Sequence, residues 1–140
     1  MSDIGASTTH IGVRNRLSIR AGWMVSGLLI LFLIMDSGLK IAALPVVSET
    51  VVALGWTPDP GFWRGMGLLL MVLTALYAWP RTAVFGAILL TAYFGGAIAT
   101  HARIGSPVLS HTLFGVYLGV LAWAGLWLRD PRIRALLPIA

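Results

Sequence analysis

Residues 86–134 read GAILLTAYFGGAIATHARIGSPVLSHTLFGVYLGVLAWAGLWLRDPRIR, and this stretch decides the fold. It holds most of one apolar run, Thr82–Thr100, and the whole of a second, Thr112–Leu128, joined by a short polar turn. Neither run alternates with period two, and neither has a polar stripe wide enough for a water-facing helix. At 1.5 Å per residue, 17 to 19 residues reach roughly 26–28 Å, close to the hydrocarbon thickness of a bilayer. Each run stops at charge: His101 and Arg103 after the first, Arg129, Asp130, Arg132 and Arg134 after the second. The pattern predicts a transmembrane helical hairpin.

Composition extends that reading to the whole chain. Of 140 residues, 58% are hydrophobic and 11% are charged. A water-soluble domain of this size would not have enough polar surface to cover itself. The net charge of +5 raises nucleic acid as a partner, but the arginines sit at the ends of apolar runs rather than along one face. Lipid headgroups, not nucleic acid, are therefore the expected partner. There is no cysteine, which removes disulfides, thiolate chemistry, iron–sulfur clusters and cysteine zinc sites.

Working back towards the N-terminus, Phe62–Trp79 is another apolar run, ending at Pro80-Arg81, a turn that only an antiparallel neighbour can follow. Before it, Pro45–Pro60 is the one sizeable connection. Within it, Val46–Leu54 predicts a short helix, with Pro45 in its first turn and Gly55 as its stop, lying on the membrane surface or folded over the bundle. Ala21–Leu44 is the first apolar run. Arg14, Arg16 and Arg20 precede it as they would a signal peptide, but Met35-Asp36-Ser37-Gly38-Leu39-Lys40 contains no small-x-small cleavage site, so it is expected to stay as a membrane helix. Residues 1–18 lack periodicity and are expected to be a mobile tail.

The expected architecture is thus all-α: an integral membrane four-helix bundle, antiparallel, with spans at about 21–44, 62–79, 82–100 and 112–128 inside one domain, 19–140. Four spans put the N-terminus, the Pro80–Arg81 turn and the C-terminus on one side, with seven arginines; Lys40, Arg64 and Arg103 lie on the other. The positive-inside rule then places both termini in the cytoplasm. Trp23, Tyr77, Trp79 and Trp127 are expected at the inner interface and Trp56 and Trp63 at the outer one. Small residues at Gly61/Gly65, Ala92/Gly96/Thr100 and Gly115/Gly119 have the spacing of close helix contacts, within one bundle or in a homo-oligomer.

Asp36 is the sharpest single residue. It lies about four residues past the middle of its span, roughly 6 Å from the midplane, too deep for its short side chain to reach water. It has two candidate partners: Lys40, one turn on along the same face, and Arg64 on the second span. Either the pair pins the first two helices, or it belongs to a polar pocket. His101, Arg103 and His111 gather at the same end, with Tyr93 deeper on the face of Thr100. Their spacing fits no metal motif, so no metal site is expected. A ligand-binding site would comprise Asp36, Lys40, Arg64, Tyr93, His101 and Arg103.

The chain resembles the DoxX-like family of small four-helix bacterial membrane proteins. The resemblance is carried by Asp36-x-x-x-Lys40, Ala53-Leu54-Gly55-Trp56, Pro80-Arg81-Thr82-Ala83 and above all Gly86-Ala87-Ile88-Leu89-Leu90-Thr91-Ala92-Tyr93-Phe94-Gly95-Gly96-Ala97. It runs on through Thr100-His101-x-Arg103 to Leu128-Arg129-Asp130-Pro131-Arg132. It implies a multi-pass protein of the bacterial inner membrane, an accessory or binding subunit in quinone-linked redox or oxidative-stress physiology, partnered by a redox-complex subunit or by further copies of itself. No cofactor is evident in the residues, and a quinone is the one candidate. A membrane oxidoreductase acting on the quinone itself, or a lipid-binding or small-transporter-type oligomer, are the alternative functions.

Overall fold

The computed structural model describes residues 3–138, with side chains from Asn15 onward. The first two residues of the expected tail and the last two of the domain lie outside it. Six α-helices follow in order: α1 (Asp3–Ala42), α2 (Pro45–Ala53), α3 (Pro60–Ala78), α4 (Ala83–Arg103), α5 (Phe114–Arg129) and α6 (Pro131–Leu136). Among the described residues, four segments are long and apolar enough to cross a membrane: Asn15–Ala42, Pro60–Ala78, Ala83–Arg103 and Val108–Arg129. The described backbone contains no strand. One boundary differs from expectation: α1 begins at Asp3, so most of the stretch assigned to an aperiodic tail continues the first helix.

Local chemistry sets the helix ends. Proline opens α2, α3 and α6, where its missing N–H costs nothing. Asp59 caps α3 by accepting from the amides of Gly61 and Phe62, both at 3.1 Å, and Asp130 caps α6 by accepting from the Arg132 amide at 2.9 Å. The connecting helix α2 ends as its sequence predicts, with Gly55 at φ +72°. Gly105, at φ +67°, closes α4 in the same way. The turn into α5 is different. Residues Val108–Thr112 form a π-helical turn in which the Thr112 amide donates to Pro107 O at 3.2 Å and the Leu113 amide to Val108 O at 2.8 Å.

The four long helices form a closed square, α1 against α3 and α5, and α4 against α3 and α5. Contacts run in opposite order along α1 and both of its neighbours. Ser26 meets Tyr77 while Ser37 meets Gly67; Ser18 meets Leu128 while Phe32 meets Phe114. The helices approach closely at particular glycines. A Cβ on Gly67 would stand 2.9 Å from Ser37 O, and one on Gly86 would collide with the backbone of Tyr77. Gly86 thereby lets α4 fold tightly back on α3 after the Pro80–Arg81 turn.

Leu29, Leu33, Leu70, Leu90 and Leu126 fill the core, and Tyr77 is fully buried among them. Tyr77 is thus not the interfacial aromatic that its place near the end of a span suggests. Its hydroxyl donates to Ala122 O at 2.8 Å and lies 3.0 Å from Ser26 Oγ. Since the phenol has one proton and a carbonyl only accepts, Ser26 is the donor to Tyr77. Arg129 closes the same knot. It is only 8% exposed, donates from Nη2 to Tyr77 O at 2.8 Å, and sits over the rings of Trp23 and Tyr77. A residue that reads as an interfacial charge is therefore an interior tie, satisfying a carbonyl that the end of α3 leaves free.

Candidate functional site

The Tyr77–Arg129 knot closes the half of the bundle near the termini. Towards the opposite end, where α2 and the π-helical turn connect the spans, the helices enclose a cavity of about 670 Å³. Its floor is apolar, formed by Phe32, Leu33, Leu70, Phe94 and Leu118. Its covering element is α2, which presents Val47, Thr50, Val51 and Leu54 to it. Val51, almost fully buried, anchors this short helix, so α2 folds over the bundle rather than lying apart on the membrane surface.

Besides Thr50, the polar lining comes from α1, α4 and the turn into α5: Asp36, Lys40, Tyr93, Thr100, His101 and His111. Lys40 Nζ donates to Asp36 in an ion pair along one face of α1. The pair is therefore within one helix and does not pin α1 to α3; the Cβ of Lys40 instead packs at Gly67. The rings of His101 and His111 lie 5.7 Å apart. The Nδ1 of His101 pairs with Ser106 Oγ at 3.1 Å and that of His111 with Ser110 Oγ at 2.8 Å, which leaves the Nε2 atoms for other partners. No group of three or more metal-binding side chains occurs among the described residues.

Four of the six residues expected to bind a ligand thus share one cavity: Asp36, Lys40, Tyr93 and His101. Arg64 and Arg103 do not line it. On α3 the residues lining the cavity are Phe62, Trp63, Met66 and Leu70, and Arg64 is turned about 100° from Trp63 to the exposed side. Arg103 is committed elsewhere: Nη2 donates to Leu54 O at 3.0 Å and the guanidinium stands over Trp56, tying the end of α4 to the end of α2.

Sequence alone also leaves out much of the lining. His111, grouped with His101 in the sequence but left out of the expected binding set, joins the cavity through the π-helical turn, which no residue pattern announces. Of the two contacts that the spacing of Ala92, Gly96 and Thr100 allows, within one bundle or in a homo-oligomer, the first is not made at Gly96: these residues border the cavity, and a Cβ on Gly96 would meet nothing within 4 Å. Gly65 on α3 is equally open. Ala92, Gly96 and Ala97 are exposed as well as cavity-lining, so the cavity communicates with the outside of the bundle along this face of α4.

A family model describing the DoxX-like family matches residues 24–125, which is most of the chain and includes every residue of the cavity. The chain belongs to the DoxX-like family. With four apolar helices of membrane-spanning length, this DoxX-like protein is a multi-pass membrane protein, and its apolar outer surface faces a lipid bilayer. The matched region stops before Arg129 and α6, so the arginine tie at the terminal end lies beyond it. Comparison with curated proteins and with solved structures gives no match.

Proposed function

We propose that this DoxX-like protein is a binding subunit of the bacterial inner membrane that holds the polar head of a membrane-dissolved lipophile, a quinone or a lipid, in the cavity beneath α2. Both termini lie in the cytoplasm, the cavity belongs to the outer leaflet, and the role is in quinone-linked redox or oxidative-stress physiology. The protein works beside a redox-complex subunit or as a homo-oligomer.

The observation that carries this reading is the combination of volume and opening. Sites for single small molecules measure about 300–1,000 Å³ and are mostly apolar with a few convergent polar groups. The cavity has about 670 Å³, an apolar floor, and its ionisable side chains Asp36, Lys40, His101 and His111 at the end near the connections. Helix packing alone does not call for such a space, as the close contacts at Gly67 and Gly86 in the same bundle demonstrate. The open border at Gly96 gives a hydrocarbon tail a way out into lipid without unfolding a helix.

The test is native mass spectrometry of protein purified with its own lipids, comparing the wild type with Gly96→Leu and Arg64→Ala. Gly96→Leu has room for its side chain and places that side chain in the opening. The wild type and Arg64→Ala should retain one small lipophile per chain and Gly96→Leu should lose it. Equal retention in all three, or none in the wild type, would end the proposal.

A further inference from the structure

The removal of both arginines from the cavity bears on what kind of head it takes. Resting on the proposed site, we infer that the ligand's head is uncharged and carries acceptor oxygens, as a quinone ring does, and that anionic lipid heads are rejected. Among the described residues, Asp36 and Lys40 are the only formally charged ones in the lining, and they are paired with each other. With histidine neutral, the lining carries no net charge.

An anionic head would therefore enter a low-dielectric space that offers no uncommitted guanidinium and would meet the Asp36 carboxylate as readily as the Lys40 ammonium. Its lost hydration would be replaced only by the few donors that a neutral head also finds, with no net positive charge to balance its own. A neutral head bearing carbonyl oxygens loses much less water. It also finds donors: Lys40 has three N–H groups and gives one to Asp36, Tyr93 has a phenol, and each imidazole can present a proton at Nε2. The cations able to hold a phosphate at this end of the bundle stand outside: Arg64 on the exposed side of α3, and Arg103 occupied by Leu54 O and Trp56. The same lining thus sorts by charge, since one uncompensated charge in it would decide which heads are accepted.

The experiment offers the purified full chain, in uncharged detergent at about pH 8, equal amounts of a decyl-substituted 1,4-benzoquinone and decyl phosphate. Native mass spectrometry reads the ratio of the two bound forms. The wild type should favour the quinone at least tenfold. Asp36→Asn, which leaves Lys40 uncompensated, should move the ratio at least tenfold towards the phosphate. Lys40→Gln should move it further from the phosphate, and this variant keeps the comparison alive if Asp36→Asn does not fold. Phosphate bound as well as or better than quinone by the wild type would overturn the inference while leaving the site standing. An unchanged ratio in the folded variants would overturn it too, by showing that the pair does not set selectivity. Binding of neither probe would sink the site itself and the inference with it.

Discussion

Tyr77→Phe removes one oxygen from the centre of the bundle, and its cost follows from the three groups that meet there. The Tyr77 hydroxyl donates to Ala122 O and accepts from Ser26 Oγ, joining α3 to α5 and to α1. A neutral hydrogen bond contributes about 1 kcal/mol net, and polar contacts between membrane helices average about 0.6 with a maximum near 1.7. Two such bonds would give about 1–2 kcal/mol. The value should sit in the lower half of that range, because neither abandoned partner is stranded: a helix carbonyl such as that of Ala122 also accepts within its own helix, and a serine hydroxyl can turn back to the carbonyl one turn earlier. The phenylalanine ring keeps the packing against Leu70, Leu90 and Leu126. We expect a loss of about 1 kcal/mol for Tyr77→Phe, against about 3–5 kcal/mol for Tyr77→Ala, which also leaves a cavity. Equilibrium unfolding in mixed micelles, with Ser26→Ala and the double variant completing a cycle, measures both terms. If Tyr77→Phe is as stable as wild type, or if it and Ser26→Ala simply add, the hydroxyl does not couple the three helices.

Three further outcomes are expected. Gly86→Val should destabilise the fold by about 1–3 kcal/mol, because a side chain there meets the Tyr77 backbone, whereas Gly96→Leu should unfold within error of wild type; equal effects would mean that the two glycines are not packed as described. The carboxyl of Asp130 is raised by burial but more strongly held down by hydrogen bonds and charge from Arg132, so its titration lies below the ordinary carboxylate range. A depressed native value stabilises the docking of α6 fully above about pH 4, the ordinary aspartate range, and that stability is lost as pH falls through the native value. Fluorescence of Trp127, whose indole N–H donates to Leu137 O, should report the release, and Asp130→Asn should abolish its pH dependence. A single cysteine at Ser7, in a chain with none of its own, should be labelled only from the cytoplasmic side in bacterial cells; periplasmic labelling would invert the proposed topology.

Much of this fold is legible in the sequence because lipid imposes a length. Apolar runs ending at Arg103, Pro80 and Arg129 mark where helices stop, and Pro45 with Gly55 brackets α2. What the residues do not reveal is rotation about the helix axis. Arg64 and Trp63 are neighbours in sequence, yet only Trp63 faces the cavity. Arg129 ends an apolar run like any snorkelling cation but turns inward to the carbonyl of Tyr77, since a helix that ends against a neighbour must find a donor for its last carbonyls. Glycine spacing misleads for the same reason: Gly96 and Gly115 look alike in the chain. Gly115 packs against Ile98 and the Phe94 carbonyl, and Gly96 packs against nothing. Asp36 and Lys40 could be paired from their spacing alone, but the space beside them depends on five helices and the π-helical turn meeting, which no local pattern encodes.

If a lipophile's head occupies the space beneath α2, a photoreactive ligand should mark the residues around that space. Photolabelling tests it most directly: a decyl-substituted quinone carrying a photoreactive group on its ring is equilibrated with the full chain in bilayers, irradiated, and the modified peptides sequenced. Labels should concentrate on Trp63, Met66, Tyr93 and Phe94, all of which line the cavity, and should be lost in Gly96→Leu. Labels scattered over Met24, Leu28, Leu31 and Val120, exposed residues that do not line the cavity, and unchanged by Gly96→Leu, would contradict it.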